Sequence, residues 1–232
     1  MVVRFVLDDT SLCFINCHLA AGQTQTKDRN ADITAILEAA LLPAERDANV
    51  RQDSFIGGGD GTMIMDHEIC VLNGDLNYRI DTMGRDTVVS AVKSKNFSKL
   101  LERDQLLASK RKNPWFRLRA FHELPITFAP TYKYDVGTDN YDTSEKKRAP
   151  AWCDRLLHRG RHRIRQLDYR RHEVRVSDHR PVTGMFEMVI KRISPNIRAV
   201  KWENCQQEFL ALKEKLGNEA RQVMLSNSYV LH

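Results

Sequence analysis

No two cysteines in this 232-residue sequence are spaced to do chemistry together. The five, Cys13, Cys17, Cys70, Cys153 and Cys205, are odd in number and scattered, with no CxxC pair and no histidines at zinc-site spacing. That distribution excludes a disulfide framework and reads as the reduced, mostly buried thiols of a cytosolic protein. The N-terminal apolar run from Val2 to Leu7 is interrupted by Arg4 and ended by Asp8-Asp9, too short for a signal core or a membrane span. Gly57-Gly58-Gly59-Asp60-Gly61 lacks the lysine and hydroxyl residue of a nucleotide-binding loop, so it reads as a flexible linker or hairpin. No internal repeat or low-complexity tract is evident.

What is present suits one globular core with a tail: 42% hydrophobic and 28% charged residues. The formal charge of +6, from 36 basic against 30 acidic residues, favours anionic partners. Phosphorylated headgroups, acidic membrane surfaces and nucleic acid all qualify on charge alone.

Residues 1–7 and 11–17 read as strands around an Asp8-Asp9-Thr10 turn, which leaves His18 at a strand end. Ile33, Ile36, Leu37, Ala40 and Leu41 recur at helical spacing between Asp28 and Leu42, and Pro43 closes that segment. The apolar run from Glu68 to Asp75 suits a buried strand whose end puts Asp75 and Asn77 at a sheet rim. Helical patterning follows from Arg85 to Lys95 and from Phe97 to Lys112, until Asn113-Pro114 breaks it. Trp152 to Leu157 and Val182 to Ile190 read as strands that leave Asp154 and Asp178-His179 near their ends. Arg161, Arg163 and Arg165 alternate, which on a strand sets them on one face, as a cation-guarded edge or a contact with an acidic membrane. Phe209, Leu212 and Leu216 mark an amphipathic helix between Trp202 and Lys215, suited to packing or linking.

Chemistry concentrates in four stretches. Pro130 to Asp135, continued by Asp142 to Arg155, gathers cations and phenols: Lys133, Lys146, Arg148 and Arg155 are charge-assisted donors for a multiply phosphorylated ligand, and Tyr132 adds a hydroxyl. A solvated charged loop is the alternative on composition. The others are Asn16-Cys17-His18-Leu19-Ala20-Ala21-Gly22, Asn73-Gly74-Asp75-Leu76-Asn77-Tyr78-Arg79 and Ser177-Asp178-His179-Arg180-Pro181-Val182. Each places a histidine or aspartate at an expected strand end, where a rigid sheet can hold a hydrolytic site.

In this order the set closely resembles the inositol polyphosphate 5-phosphatases of the endonuclease/exonuclease/phosphatase superfamily, from the first residues to about Phe186. The GDLNYR and WCDR signatures are specific in combination, whereas SDHRP marks only the superfamily. The resemblance implies an α+β, DNase I-like fold, a two-layer β-sandwich of mixed sheets flanked by helices. Residues 1–192 would form a partial catalytic domain, incomplete at its N-terminus, and 193–232 a helical tail. It assigns Asp75 as general base, Asn77 as holder of the water or a phosphoryl oxygen, and His18 and His179 as donors to the scissile phosphate. Asp154 would orient His179, and Asp178 would order the centre and its metal shell. Tyr132, Lys133, Lys146 and Arg148 match a clasp on the 4-phosphate, and Arg79 and Arg155 join the substrate-binding group.

Enzymes of this kind use Mg²⁺, a hard cation that takes oxygen ligands. The family's metal-binding glutamate and its asparagine partner would lie upstream of the first residue here, and Asp178 is left as an indirect contributor. The expectation is a fragment, an alternative product or a degenerate copy, impaired in Mg-dependent hydrolysis of the 5-phosphate of phosphatidylinositol 4,5-bisphosphate and related inositol polyphosphates. The wording is nearest the fungal synaptojanin-like branch, with a cytoplasmic location and peripheral contact with acidic membrane. A catalytically inactive phosphoinositide-binding remnant is one alternative. A DNase-like phosphodiesterase is another, but it would spread cations along a groove rather than gather them around Tyr132 to Arg155, and no nucleic-acid partner is expected. The oligomeric state stays open.

Overall fold

The computed structural model describes residues 1–50 and 52–228, except for the side chains of 225–228. It contains two compact units, Met1–Lys191 and the segment from Arg192 onward. In the first, β1 (Val2–Leu7) and β2 (Thr10–His18) form a hairpin whose turn starts at Asp8, with a left-handed φ of 50°. Next to β2 runs β3 (Ile69–Asp75), parallel to it, and beyond that β4 (Asp154–Arg159), antiparallel to β3. A separate antiparallel pair, β5 (Ile164–Arg171) and β6 (Val182–Met188), makes the second sheet. Among the described residues the four-stranded sheet is mixed and the two-stranded one antiparallel, within the expected α+β arrangement of two sheets flanked by helices.

Strand alternation builds the layers. Cys70 and Leu72 of β3 pack with Cys13, Ile15 and Cys17 of β2 and with Ile33 and Leu37 of α1 (Thr26–Glu38). Ile69 and Val71 point the other way, joining Leu12 and Ile164 against Phe186 and Met188. On β4 the same rule sends Leu157 to the helical side and Leu156 to Tyr169, Val182 and Phe186. One sheet thus carries helices on one face and the second sheet on the other, and its strand ends form a rim held from both sides.

Several boundaries differ from the sequence reading. α1 stops at Glu38 because Ala39 turns extended, and Leu42 donates its N–H to Thr62 instead of prolonging the helix. After α2 (Arg85–Lys93), the 97–112 pattern divides into α3 (Phe97–Leu101) and α4 (Gln105–Lys112). Asp104 accepts from the Leu107 N–H at 2.9 Å, the preferred use of aspartate at a helix start. The glycine-rich run is neither linker nor hairpin: it lies among short 3₁₀ turns, with Gly57, Gly58 and Gly61 at positive φ. Arg161 and Arg163 fall in a 3₁₀ turn, so the expected row of three arginines on one strand face does not form. Arg165 alone of the three lies in β5, paired with Glu187. The C-terminal helix α5 spans Pro195–Ser228, longer at both ends than its apolar pattern suggests.

Candidate active site

Three neighbouring strands deliver three reactive side chains to one rim. In register, His18 ends β2 opposite Asp75, which ends β3, and Asp75 faces Asp154, which begins β4. Gly74 makes the approach possible: at its φ of +127°, a Cβ would meet the Cys17 carbonyl oxygen at 2.0 Å, so no other residue fits there without moving a strand. His18 Nε2 then lies 3.5 Å from Asp75 Oδ2.

The second sheet supplies the fourth group. His179, in the loop before β6, reaches across to Asp154, with Nδ1 donating to Oδ2 at 2.8 Å. The buried Thr131 donates its hydroxyl to the same oxygen at 2.6 Å, and its carbonyl accepts from the Arg180 N–H. Tyr132 bridges to both Ala151 and His179, and its ring lies 4.5 Å from the imidazole. The remaining nitrogen, His179 Nε2, is 3.8 Å from Asp75 Oδ2, beyond hydrogen-bond reach, so its N–H is available to a ligand between them.

Charge follows from this packing. Burial, then the nearby Asp154 charge, push the Asp75 carboxyl above its ordinary value, only partly offset by His179, the Asn77 N–H and His18. Burial alone would lower the His179 imidazole. The hydrogen bond and charge of Asp154, with the charges of Asp75 and Asp178, outweigh it and raise the net value. Asp178 is moderately desolvated but held below the ordinary carboxylate value by Lys133, whose Nζ donates to it at 2.6 Å. Cys153, beside Asp154, is fully buried and its thiol is pushed well up by desolvation, which leaves no reactive thiolate at the rim.

Beside the rim lies a cavity of about 540 Å³. Arg79, Tyr132, Lys146 and Arg148 line it, along with Gln23 and Arg85. Arg148 donates to the Tyr132 hydroxyl at 3.2 Å, and the Arg79 guanidinium stacks 4.6 Å from the Tyr132 ring. Lys133 sits on the Asp178 side of that ring, outside the cavity wall.

Two expected roles change. Arg155 is built into the core rather than the rim: it is 0% exposed, with Nη1 donating to both Asp104 oxygens at 3.0 and 3.1 Å and Nε and Nη2 to Glu123 at 2.8 and 2.7 Å. It follows Asp154 in sequence, but strand alternation turns it into the protein. Asn77 is 3% exposed in a left-handed conformation (φ 55°), its Nδ2 donating to the Leu19 carbonyl and its Oδ1 accepting from Arg79. It ties the loop after β2 to the loop after β3, and its backbone N–H donates to Asp75 Oδ1 at 3.0 Å.

Arg29, Gln105 and Arg85 carry no motif and are missed by sequence reasoning. Arg29 is buried and donates to the carbonyls of Ala20 and Gly22, fixing the loop that follows His18, and to Gln105 Oε1. Gln105 also accepts from the Arg79 N–H and donates to Gln23 and Asp81. Arg85 holds the Tyr141 and Asp142 carbonyls of the basic loop. A signal was present for Arg29 alone, as the one cation on the otherwise apolar face of α1.

The described residues gather no ready-made cage for a divalent cation. Among the described residues no group of three or more His, Cys, Asp or Glu side chains is gathered as a metal would require. Asp75, Asp154 and Asp178 are each taken up by imidazole, hydroxyl or ammonium partners. That set offers no all-protein oxygen cage, and Mg²⁺ would depend on water and substrate phosphate for most of its shell.

Two histidines and two aspartates gather at one rim beside a basic cavity, an arrangement suited to hydrolysis. The chain belongs to the Endonuclease/Exonuclease/phosphatase family 2, whose model matches residues 1–185, and within it resembles the inositol polyphosphate 5-phosphatase domains. It is 45% identical over 228 residues to a probable inositol polyphosphate 5-phosphatase of Schizosaccharomyces pombe (strain 972 / ATCC 24843), covering 98% of this chain and 19% of that protein. Identity to synaptojanin of Caenorhabditis elegans is 42% over 188 residues, covering 80% of this chain and 15% of that protein. The crystal structure of the inositol polyphosphate 5-phosphatase domain of SPsynaptojanin, in complex with inositol (1,4)-bisphosphate and calcium ion, superposes with a TM-score of 0.73 at 36% identity. That match covers 92% of this chain and 57% of the other. The chain therefore spans less than a fifth of the length of either curated relative.

Proposed function

We propose that this chain carries the acid–base and substrate-reading groups for hydrolysis of the 5-phosphate of phosphatidylinositol 4,5-bisphosphate and related inositol polyphosphates. The observation that carries the reading is the His18, Asp75, Asp154, His179 row beside a cavity lined by Tyr132, Lys146 and Arg148. Asp75, with its raised carboxyl pKa, is poised to take a proton from the attacking water. His18 and His179 offer N–H donors to the phosphoryl oxygens, and Asp154 keeps the His179 ring turned so that Nε2 faces the reacting phosphate. Lys146 and Arg148, with the Tyr132 hydroxyl, suit a neighbouring phosphate on the ring. Asn77 and Asp178 act as positioning residues, the first on Asp75 and the second on Lys133.

Mg²⁺, when bound in such enzymes, neutralises charge building on the phosphoryl group. The side chains described here do not form its shell, so turnover by the chain as it stands should be weak. A deficit of ~4 kcal/mol slows a reaction roughly a thousandfold. That same observation favours a second reading, headgroup binding without hydrolysis at a peripheral, acidic membrane surface. The test is turnover of phosphatidylinositol 4,5-bisphosphate with Mg²⁺, beside calorimetric binding of inositol (1,4)-bisphosphate, using the SPsynaptojanin domain as comparator. Binding with little turnover is expected. Turnover equal to the comparator overturns the impairment, and absence of both binding and turnover overturns the functional reading.

A further inference from the structure

The long helix α5 carries a repeat that the hydrolytic site does not use. Trp202, Phe209, Leu216 and Val223 recur every seven residues, with Cys205, Leu212 and Glu219 interleaved three residues after the first three of them. A seven-residue repeat on a 3.6-residue helix keeps one seam facing a partner helix only if the two supercoil, which is the pattern of a left-handed coiled coil. Trp202, Phe209, Leu212 and Leu216 are between 54% and 64% exposed, so among the described residues this part of the seam faces solvent.

We propose that α5 pairs with α5 of a second copy of this chain as a parallel two-stranded coiled coil, with Trp202, Phe209, Leu216 and Val223 at the first core position and Cys205, Leu212 and Glu219 at the second. Three observations support a second copy as occupant. The first is shape: a cavity of about 480 Å³ is lined by Trp202, Cys205, Gln206, Phe209 and Leu210. In a parallel pair, a residue at the second core position inserts among four such neighbours of the facing helix. Here these are Trp202, Cys205, Gln206 and Phe209, and the inserting residue is the partner's small Cys205, a fit between two large rings.

The second is charge. With the copies in register, Glu208 flanks the seam opposite Lys213 of the other helix, twice by symmetry, while the other flanking pairs, Lys201 with Gln206 and Lys215 with Ala220, bring no like charges together. The third is length: the 34-residue helix spans several such repeats, enough for a seam that a single chain leaves in water. Between Trp202 and Val223 Glu219 is the one charged core position, and continuing the frame puts Arg198 and Ser226 at second core positions toward the two ends of the helix. Glu219 meets its own copy near the end of the seam and is partly screened by Lys215 of its own helix, 4.0 Å away.

The experiment is sedimentation equilibrium of the full 232-residue chain across a concentration series, together with mild thiol oxidation. The expected result is a reversible dimer that becomes covalent through Cys205, with no cross-link in Cys205→Ser. Leu212→Glu should raise the dimer dissociation constant by about a hundredfold or more, since two leucines leave the seam at once. Val200→Glu, equally solvent-facing but on the opposite side of the helix from the seam, should leave it unchanged, and Glu219→Leu should tighten it. A chain that is monomeric at every soluble concentration overturns the proposal, as does a trimer or larger assembly. A dimer equally sensitive to Val200→Glu and Leu212→Glu overturns the seam, and one that resists cross-linking at Cys205 overturns the parallel register.

Discussion

His179 Nδ1 donates to Asp154 Oδ2 across 2.8 Å, although one residue begins β4, the other lies in the loop before β6 and they are 25 positions apart. The bond fixes the imidazole's orientation, and the carboxylate favours its charged form over the opposing effect of burial. His179 is expected to titrate above its ordinary 6.5, measured by proton NMR of the ring, and Asp154→Asn should bring it down. A group with a raised folded pKa binds more protons folded than unfolded. Its stabilisation is therefore complete below 6.5 and fades as pH rises through the higher folded value. Titration at or below 6.5, unmoved by Asp154→Asn, would contradict the pairing.

The same linkage gives Asp75 a different signature. Its carboxyl is raised by burial and by Asp154, so the folded state disfavours its ionisation, and stability is lost as pH rises from 3.8 through the folded pKa. Asp75→Asn should be at least as stable as the parent at neutral pH, with the advantage vanishing in acid. Any measured phosphatase turnover should fall by roughly 10²–10⁴. Denaturant titrations at both pH extremes check the first part. A variant less stable at neutral pH than in acid, relative to the parent, would reverse the assignment.

Arg155 and Lys146 separate structure from recognition. Arg155→Ala strands Asp104 and Glu123 as buried carboxylates without their cation, and should cost about 3–5 kcal/mol by denaturant unfolding. A loss under ~1 kcal/mol would mean that the triad is not what holds α4 and β4 together.

Lys146→Ala should leave the unfolding midpoint in place and weaken binding of inositol (1,4)-bisphosphate by about tenfold to a hundredfold, as befits loss of one charge-assisted donor of ~1.5–3 kcal/mol. The side chain lines the cavity and is exposed, so nothing else should change. Unaltered affinity in calorimetry would remove Lys146 from the clasp.

Local pattern alone made the strand-end placement of His18, Asp75 and Asp154 legible. Each follows or begins an apolar run of strand length, and period-two alternation leaves little freedom in how such a run sits in a sheet. The same alternation, applied one residue further, would have turned Arg155 inward. Its position in a basic stretch argued the opposite, because composition carries no direction. The sequence could not reveal that Asp104 and Glu123, 51 and 32 residues away from Arg155, would meet it in the core. Nor could it reveal that Asn77 would spend its amide on Leu19 and Arg79, or that Arg29 would brace the loop behind His18. Hydrophobic periodicity and turn chemistry are local and survive in one dimension, so strand ends and helices can be read there. Partners for buried charge and for amides are chosen by whichever groups the closed sheets bring within about 3 Å, and only the tertiary structure decides them.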